Sequence, residues 1–89
     1  MPLQTAQYTV GTAAIKVLSA QSNPTQVILH NANKSSNNYI WFGGSSAVTT
    51  STGIHLDNGE DYQFVLQPGN ELWAISDSNK ELNVMWQVL

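Results

Sequence analysis

An alternation of apolar and polar side chains with a period of two runs through almost the whole chain. Only a β-strand turns successive side chains to opposite faces with that period. The alternation is clearest near the end, where Leu82, Val84, Trp86 and Val88 alternate with Asn83, Met85, Gln87 and Leu89. Val27 and Leu29 alternate with Gln26, Ile28 and His30, and Tyr62, Phe64 and Leu66 form another set. Leu72, Ala74 and Ser76 stand against Trp73 and Ile75 in the same way. Tyr39-Ile40-Trp41-Phe42 is a continuous run of strand-forming apolar residues, which reads as a strand buried on both faces. Trp86, on the apolar face of its strand, is assigned to the core.

Turn signals separate these runs. Asp57-Asn58-Gly59 marks a tight hairpin, with glycine where φ must be positive. Pro68-Gly69-Asn70 and Asp77-Ser78-Asn79-Lys80 mark further turns, Asn31 to Asn38 is a polar loop, and Gly43-Gly44-Ser45-Ser46 opens another. The spacing predicts strands near 7–10, 13–19, 25–31, 38–43, 53–56, 61–66, 71–76 and 82–89. The stretch Thr12 to Ala20 is the one competitor for a helix. It goes to strand because Ile15 and Val17 are β-branched and a helix so short is marginal. The expected fold is therefore all-β, a single antiparallel β-sandwich, jelly-roll-like, of about eight short strands over residues 8–89. Residues 1–7 have too little pattern for a core strand and read as an N-terminal arm.

An 89-residue chain buries only about 60–65 % of its unfolded surface, and no cysteine is present to staple it. Binding partners stabilise such a fold by mass action, which favours an oligomer or a component of an assembly. Charge is scarce at 10 % of residues, against about 25 % in ordinary soluble domains. Arginine is absent, Lys16, Lys34 and Lys80 are scattered, and over a third of the residues are Ser, Thr, Asn or Gln. A neutral polar surface has few charges to desolvate on contact with another protein. A net charge of −3 without a basic cluster argues against nucleic acid as a partner. No run approaches the ~18–20 apolar residues that span a bilayer. The first residues show neither the basic start nor the apolar stretch of a secretory signal, and the lack of cysteine fits an intracellular origin.

Chemistry-bearing residues are few. His55 and Asp57 sit two apart on a strand, but a transition-metal site needs three or four convergent ligands. Asp57, Glu60 and Asp61 lack the spaced ladder of a calcium loop, and Gly43-Gly44-Ser45-Ser46 lacks the spaced second glycine with Lys-Ser/Thr of a phosphate loop. No nucleophile stands in a recognisable motif with a base. Asn33-Lys34-Ser35 matches a glycosylation sequon, which carries little without a secretory signal. The expectation is a non-enzymatic protein with no cofactor and no metal. The aromatic side chains remain. Trp41 and Trp73 have two readings: platforms on which a glycan stacks, or anchors at a protein interface.

Val27-Ile28-Leu29-His30-Asn31, Tyr39-Ile40-Trp41-Phe42-Gly43-Gly44-Ser45, Val48 to Leu56, and Asn58-Gly59-Glu60 form an ordered series that continues into Glu71-Leu72-Trp73-Ala74-Ile75-Ser76. The series resembles the small β-sandwich virion proteins of tailed bacteriophages, and it departs from them in carrying Gln26 where an arginine is expected. The resemblance implies a capsid decoration (cement) protein, a head-fibre base or a small tail component, found in the virion after assembly in the host cytoplasm. It implies contact with the major capsid protein or another virion protein. It also implies a homo-oligomer, with a trimer favoured. The N-terminal arm, read from its own lack of pattern, is expected to order on the capsid or on a neighbouring copy. Pro2, Leu3, Gln4, Thr5, Tyr8, Trp41 and Trp73 are the candidate assembly residues. The rival expectation is a carbohydrate-binding module with Trp41 or Trp73 as its exposed platform.

Overall fold

The computed structural model describes residues 2–89, which form eight strands and no helix. They are β1 (Gln4–Val10), β2 (Ile15–Leu18), β3 (Thr25–Asn31), β4 (Ile40–Gly43), β5 (Ile54–Leu56), β6 (Asp61–Leu66), β7 (Leu72–Ile75) and β8 (Lys80–Val88). Two antiparallel four-stranded sheets result, a first of order β1-β8-β3-β6 and a second of order β2-β7-β4-β5. These orders make an eight-stranded jelly roll, as the alternation predicts. The Thr12–Ala20 stretch supplies β2, so its β-branched residues prevail over its alanines.

The alternation sets which side chains face inward. Val27 and Leu29 on β3 and Leu82 and Val84 on β8 meet Ile40 and Phe42 on β4 and Leu72 and Ala74 on β7, all buried. Each large aliphatic side chain buried this way contributes about 1.5–3 kcal/mol relative to exposure. Asn31 falls in the same phase as Val27 and Leu29 and is wholly buried.

Four expectations change. Gln4–Gln7, assigned to an arm, are the first half of β1 and pair with Trp86–Asn83 of β8. An edge strand needs only one covered face. Ala6 and Tyr8 point inward, while β8 supplies the ladder of backbone partners that local hydrophobicity does not announce. Pro2 and Leu3 alone precede the strand among the described residues, and Met1 lies outside them.

The turn at Asp57–Glu60 is tight, with Glu60 N–H donating to Asp57 C=O at 3.1 Å and Gly59 at φ +76°. It is a corner and not a hairpin, because β5 belongs to the second sheet and β6 to the first. Among the described residues only β4 and β5 are both consecutive in the chain and paired. Tyr39 precedes β4, which buries Ile40 and Phe42 on one face and half-covers Trp41 and Gly43 on the other. Trp86 is half-buried at the rim of the core, opposite Gln4 of an edge strand that gives it little cover.

Candidate functional site

The sandwich has two long edges, and they are finished differently. On one side β1 and β2 end the two sheets. Tyr8 reaches across from β1, and its hydroxyl donates to the Val17 carbonyl of β2 at 3.0 Å. Strand β2 is short and irregular between Lys16 and Leu18, and Lys16 forms an ion pair with Glu71 at 3.4 Å. A bulge and a lysine are devices that discourage another strand from adding to an edge.

On the other side β5 and β6 end the sheets, and among the described residues no side chain bridges them as Tyr8 does. A cleft of about 240 Å³ opens between them, floored by Leu29, Phe42, Leu56, Phe64 and Leu72. Ile54 and Tyr62 stand at its mouth, 74 % and 53 % exposed. Both are in the inward phase of their strands, Ile54 opposite Phe42 and Tyr62 opposite Leu29. Their exposure comes from the ending of the sheets and not from a break in the pattern. The Tyr62 ring stacks on Phe64 with centroids 5.6 Å apart, and Val65 is exposed on the outer face of β6.

Asn31 holds this edge in place. Its amide nitrogen donates to the Asn38 carbonyl at 2.7 Å and to the Leu56 carbonyl of β5 at 3.1 Å. Its amide oxygen accepts from the Asn33 backbone N–H at 3.1 Å and the Asn33 side-chain amide at 2.6 Å. Its backbone bonds Glu60 and Gly59 at the corner. One buried amide thus ties β3, β5 and the corner before β6, with all its polar capacity used.

His55 lines this cleft, and His30 lies on the outer face of the first sheet. The His30 Nδ1 meets an Asp61 carboxylate oxygen, and the His55 Nε2 lies 3.1 Å from the Asp57 Oδ1. Among the described residues no group of three or more His, Asp or Glu side chains could hold a metal ion. The cleft is almost wholly apolar. What it offers is burial of an apolar side chain beside a six-residue strand, β6, whose outer backbone groups lack a ladder partner.

The sequence-predicted residues do not come together. Pro2 and Leu3 are exposed ahead of β1, with Leu3 lying on the outer face of the first sheet near Gln26, Ile28 and Met85. Gln4 and Thr5 lie on the outer half of β1, and Tyr8 seals the β1/β2 edge. Trp41 and Trp73 are half-buried on the outer face of the second sheet. Tyr39, Trp41 and His55 form an aromatic cluster there, with centroids 5.7–6.2 Å apart. The Trp73 indole N–H donates to Glu71 Oε1 at 3.1 Å, and that bond, helped by Lys16, holds the Glu71 carboxyl below its ordinary value of 4.5. Gly43 closes β4 against Val48, since a Cβ there would lie 2.7 Å from the valine side chain; this contact accounts for the glycine without a phosphate. Sequence reasoning missed Asn31, Ile54 and Tyr62. Asn31 was signalled by its phase with Val27 and Leu29, whereas nothing local marks Ile54 and Tyr62 as exposed.

No family model matches the sequence, and no curated protein matches it. Solved structures do share its fold. A protein of the Bacillus endospore appendages, which form disulfide-linked pili, superposes with a TM-score of 0.63 at 8 % identity, over 99 % of this chain and 86 % of that one. A cupin-2 domain protein from Shewanella frigidimarina gives 0.59 at 13 % identity, over 98 % of this chain and 71 % of that one. A de novo designed double-stranded β-helix gives 0.53 at 16 % identity, over 94 % and 96 %. At such identities the likeness is one of fold, that of small all-β sandwiches. A disulfide link of the kind named for the pili has no counterpart here, because this chain lacks cysteine.

Proposed function

We propose that this chain is a non-catalytic structural subunit that works by joining other protein surfaces, and that its place is the virion of a tailed phage as a capsid decoration protein. The observation that carries this reading is the division of apolar side chains. The described interior is filled by packing, and of the large apolar side chains left exposed Ile54, Tyr62 and Val65 stand at the β5/β6 edge beside a mostly apolar cleft, while Leu3, Met85 and Leu89 are exposed elsewhere. The neutral, charge-poor surface and the Tyr39–Ser45 and Glu71–Ser76 motifs support it, as does the shared fold of a pilus protein. A decoration protein is expected to act mechanically. It forms an oligomer, bridges subunits of the major capsid protein, and adds its own contacts to those that must break when the shell opens.

Quantitative mass spectrometry of purified particles tests the reading. A copy number on the scale of the major capsid protein supports decoration. A few copies per particle move the chain to a tail, portal or fibre, and absence from particles overturns a virion role. A second reading, glycan binding, is favoured by one observation: the Tyr39–Trp41–His55 cluster faces outward beside Trp73. Tryptophan fluorescence that shifts on titration with soluble glycans supports it, and unresponsive fluorescence removes it.

A further inference from the structure

We propose that β6 is a self-pairing edge, through which two copies of this chain join their first sheets about a two-fold axis, each covering the other's open cleft. The proposal rests on the reading of the chain as an assembling subunit and names the surface by which it assembles.

Four strand edges are exposed in the sandwich, and three of them are poor partners. Strand β2 is bulged and carries Lys16, β5 has three residues, and β1 presents mainly glutamine and threonine beside a sealed interior. Strand β6 alone joins a regular six-residue ladder to exposed apolar side chains, Tyr62 and Val65, with Ile54 beside it. Pairing there satisfies a row of backbone groups and covers Tyr62 and Ile54 on the inner face and Val65 on the outer one.

The charge pattern selects a second copy as the occupant. From Tyr62 to Leu66 the strand carries no charge, and Asp61 is already engaged by His30 of its own sheet. A two-fold axis perpendicular to the sheet pairs the strands antiparallel and keeps inward faces inward. With Gln63 opposite Gln63 of the second copy, Tyr62 meets Phe64 and Asp61 meets Val65. Aromatic rings then face each other at the clefts, and no like charges are opposed. The product is one continuous eight-stranded sheet of order β1-β8-β3-β6-β6-β3-β8-β1. An isologous contact closes at two copies, whereas the trimer implied by the phage resemblance needs a heterologous surface elsewhere. A six-residue strand runs about 20 Å. The contact is therefore near the lower limit of about 1,000 Å² for specific interfaces, and its Kd is expected on the order of micromolar.

Analytical ultracentrifugation of the intact chain across that range reads the equilibrium. Ile54→Lys and Tyr62→Lys change exposed positions, so circular dichroism should keep the native spectrum while the Kd weakens at least tenfold. Because the chain has no cysteine, Gln63→Cys gives a clean second readout. Oxidation should crosslink it into a dimer, and Thr5→Cys on β1 should stay monomeric. A chain that is monomeric at hundreds of micromolar, a trimer, or Thr5→Cys crosslinking faster than Gln63→Cys overturns the proposal. Virion incorporation of a chain that is monomeric in solution sinks this surface and leaves the proposed function standing. A β6 dimer that never enters particles does the reverse.

Discussion

The two edges of this sandwich solve the same problem in opposite ways. Where β1 and β2 end the sheets, a tyrosine spans the gap, a bulge breaks the ladder, and an ion pair carries charge along the rim. Where β5 and β6 end them, a buried amide fixes the backbone while isoleucine and tyrosine stand open to water. The first edge is finished within one chain. The second is held rigid and left uncovered, which costs little in local order and keeps an apolar surface in a fixed shape. Preorganisation of that kind lowers what an encounter must spend on ordering.

The sharpest way to break the contrast is to remove the amide. Asn31→Ala should destabilise the domain by about 2–4 kcal/mol, because it leaves the Asn38 and Leu56 carbonyls unpaired in a buried place. Urea unfolding measures this, and a loss under half a kilocalorie would mean that apolar packing alone holds the open edge. Tyr8→Phe tests the closed edge with a smaller effect. Losing one hydroxyl bond to Val17 should cost about 1 kcal/mol in the same assay.

What could be read from the sequence divides along similar lines. Strand phase was legible because burial of Val27, Leu29, Leu82 and Val84 follows directly from alternation. Sheet membership was not. Asp57-Asn58-Gly59 specifies a tight turn by its backbone preferences, but whether the flanking strands pair or part is decided by packing between sheets. Gln4–Gln7 gave no apolar signal because an edge strand draws its order from the β8 ladder. The candidate site was least legible. Ile54 and Tyr62 carry the pattern of core residues, and their exposure depends on where two sheets stop, a tertiary fact no local window contains.

Ile54→Ser sharpens that last point. With Ile54 74 % exposed, the change should move folding stability by no more than about 0.5 kcal/mol, although the residue is in core phase. Equilibrium unfolding at low protein concentration, where association is negligible, checks it. The smallest expected effect belongs to Glu71 on the closed side. Its carboxyl is held below 4.5 in the folded protein, chiefly by the Trp73 indole and then by Lys16. The unfolded chain therefore takes up the proton first as pH drops. The stability Glu71 adds is present above 4.5 and fades as pH falls through its lower folded value. Glu71→Gln should remove that dependence, read as a flatter acid limb in tryptophan-monitored stability.

The last strand of the chain is a central one. Strand β8 lies between β1 and β3, and β1 has no other partner. During synthesis β1 must wait for its β8 partner until β8 leaves the ribosome, so the first sheet cannot assemble strand by strand as the chain grows. Completion of the first sheet is then a late event dominated by pairings distant in sequence, a slow class of topology.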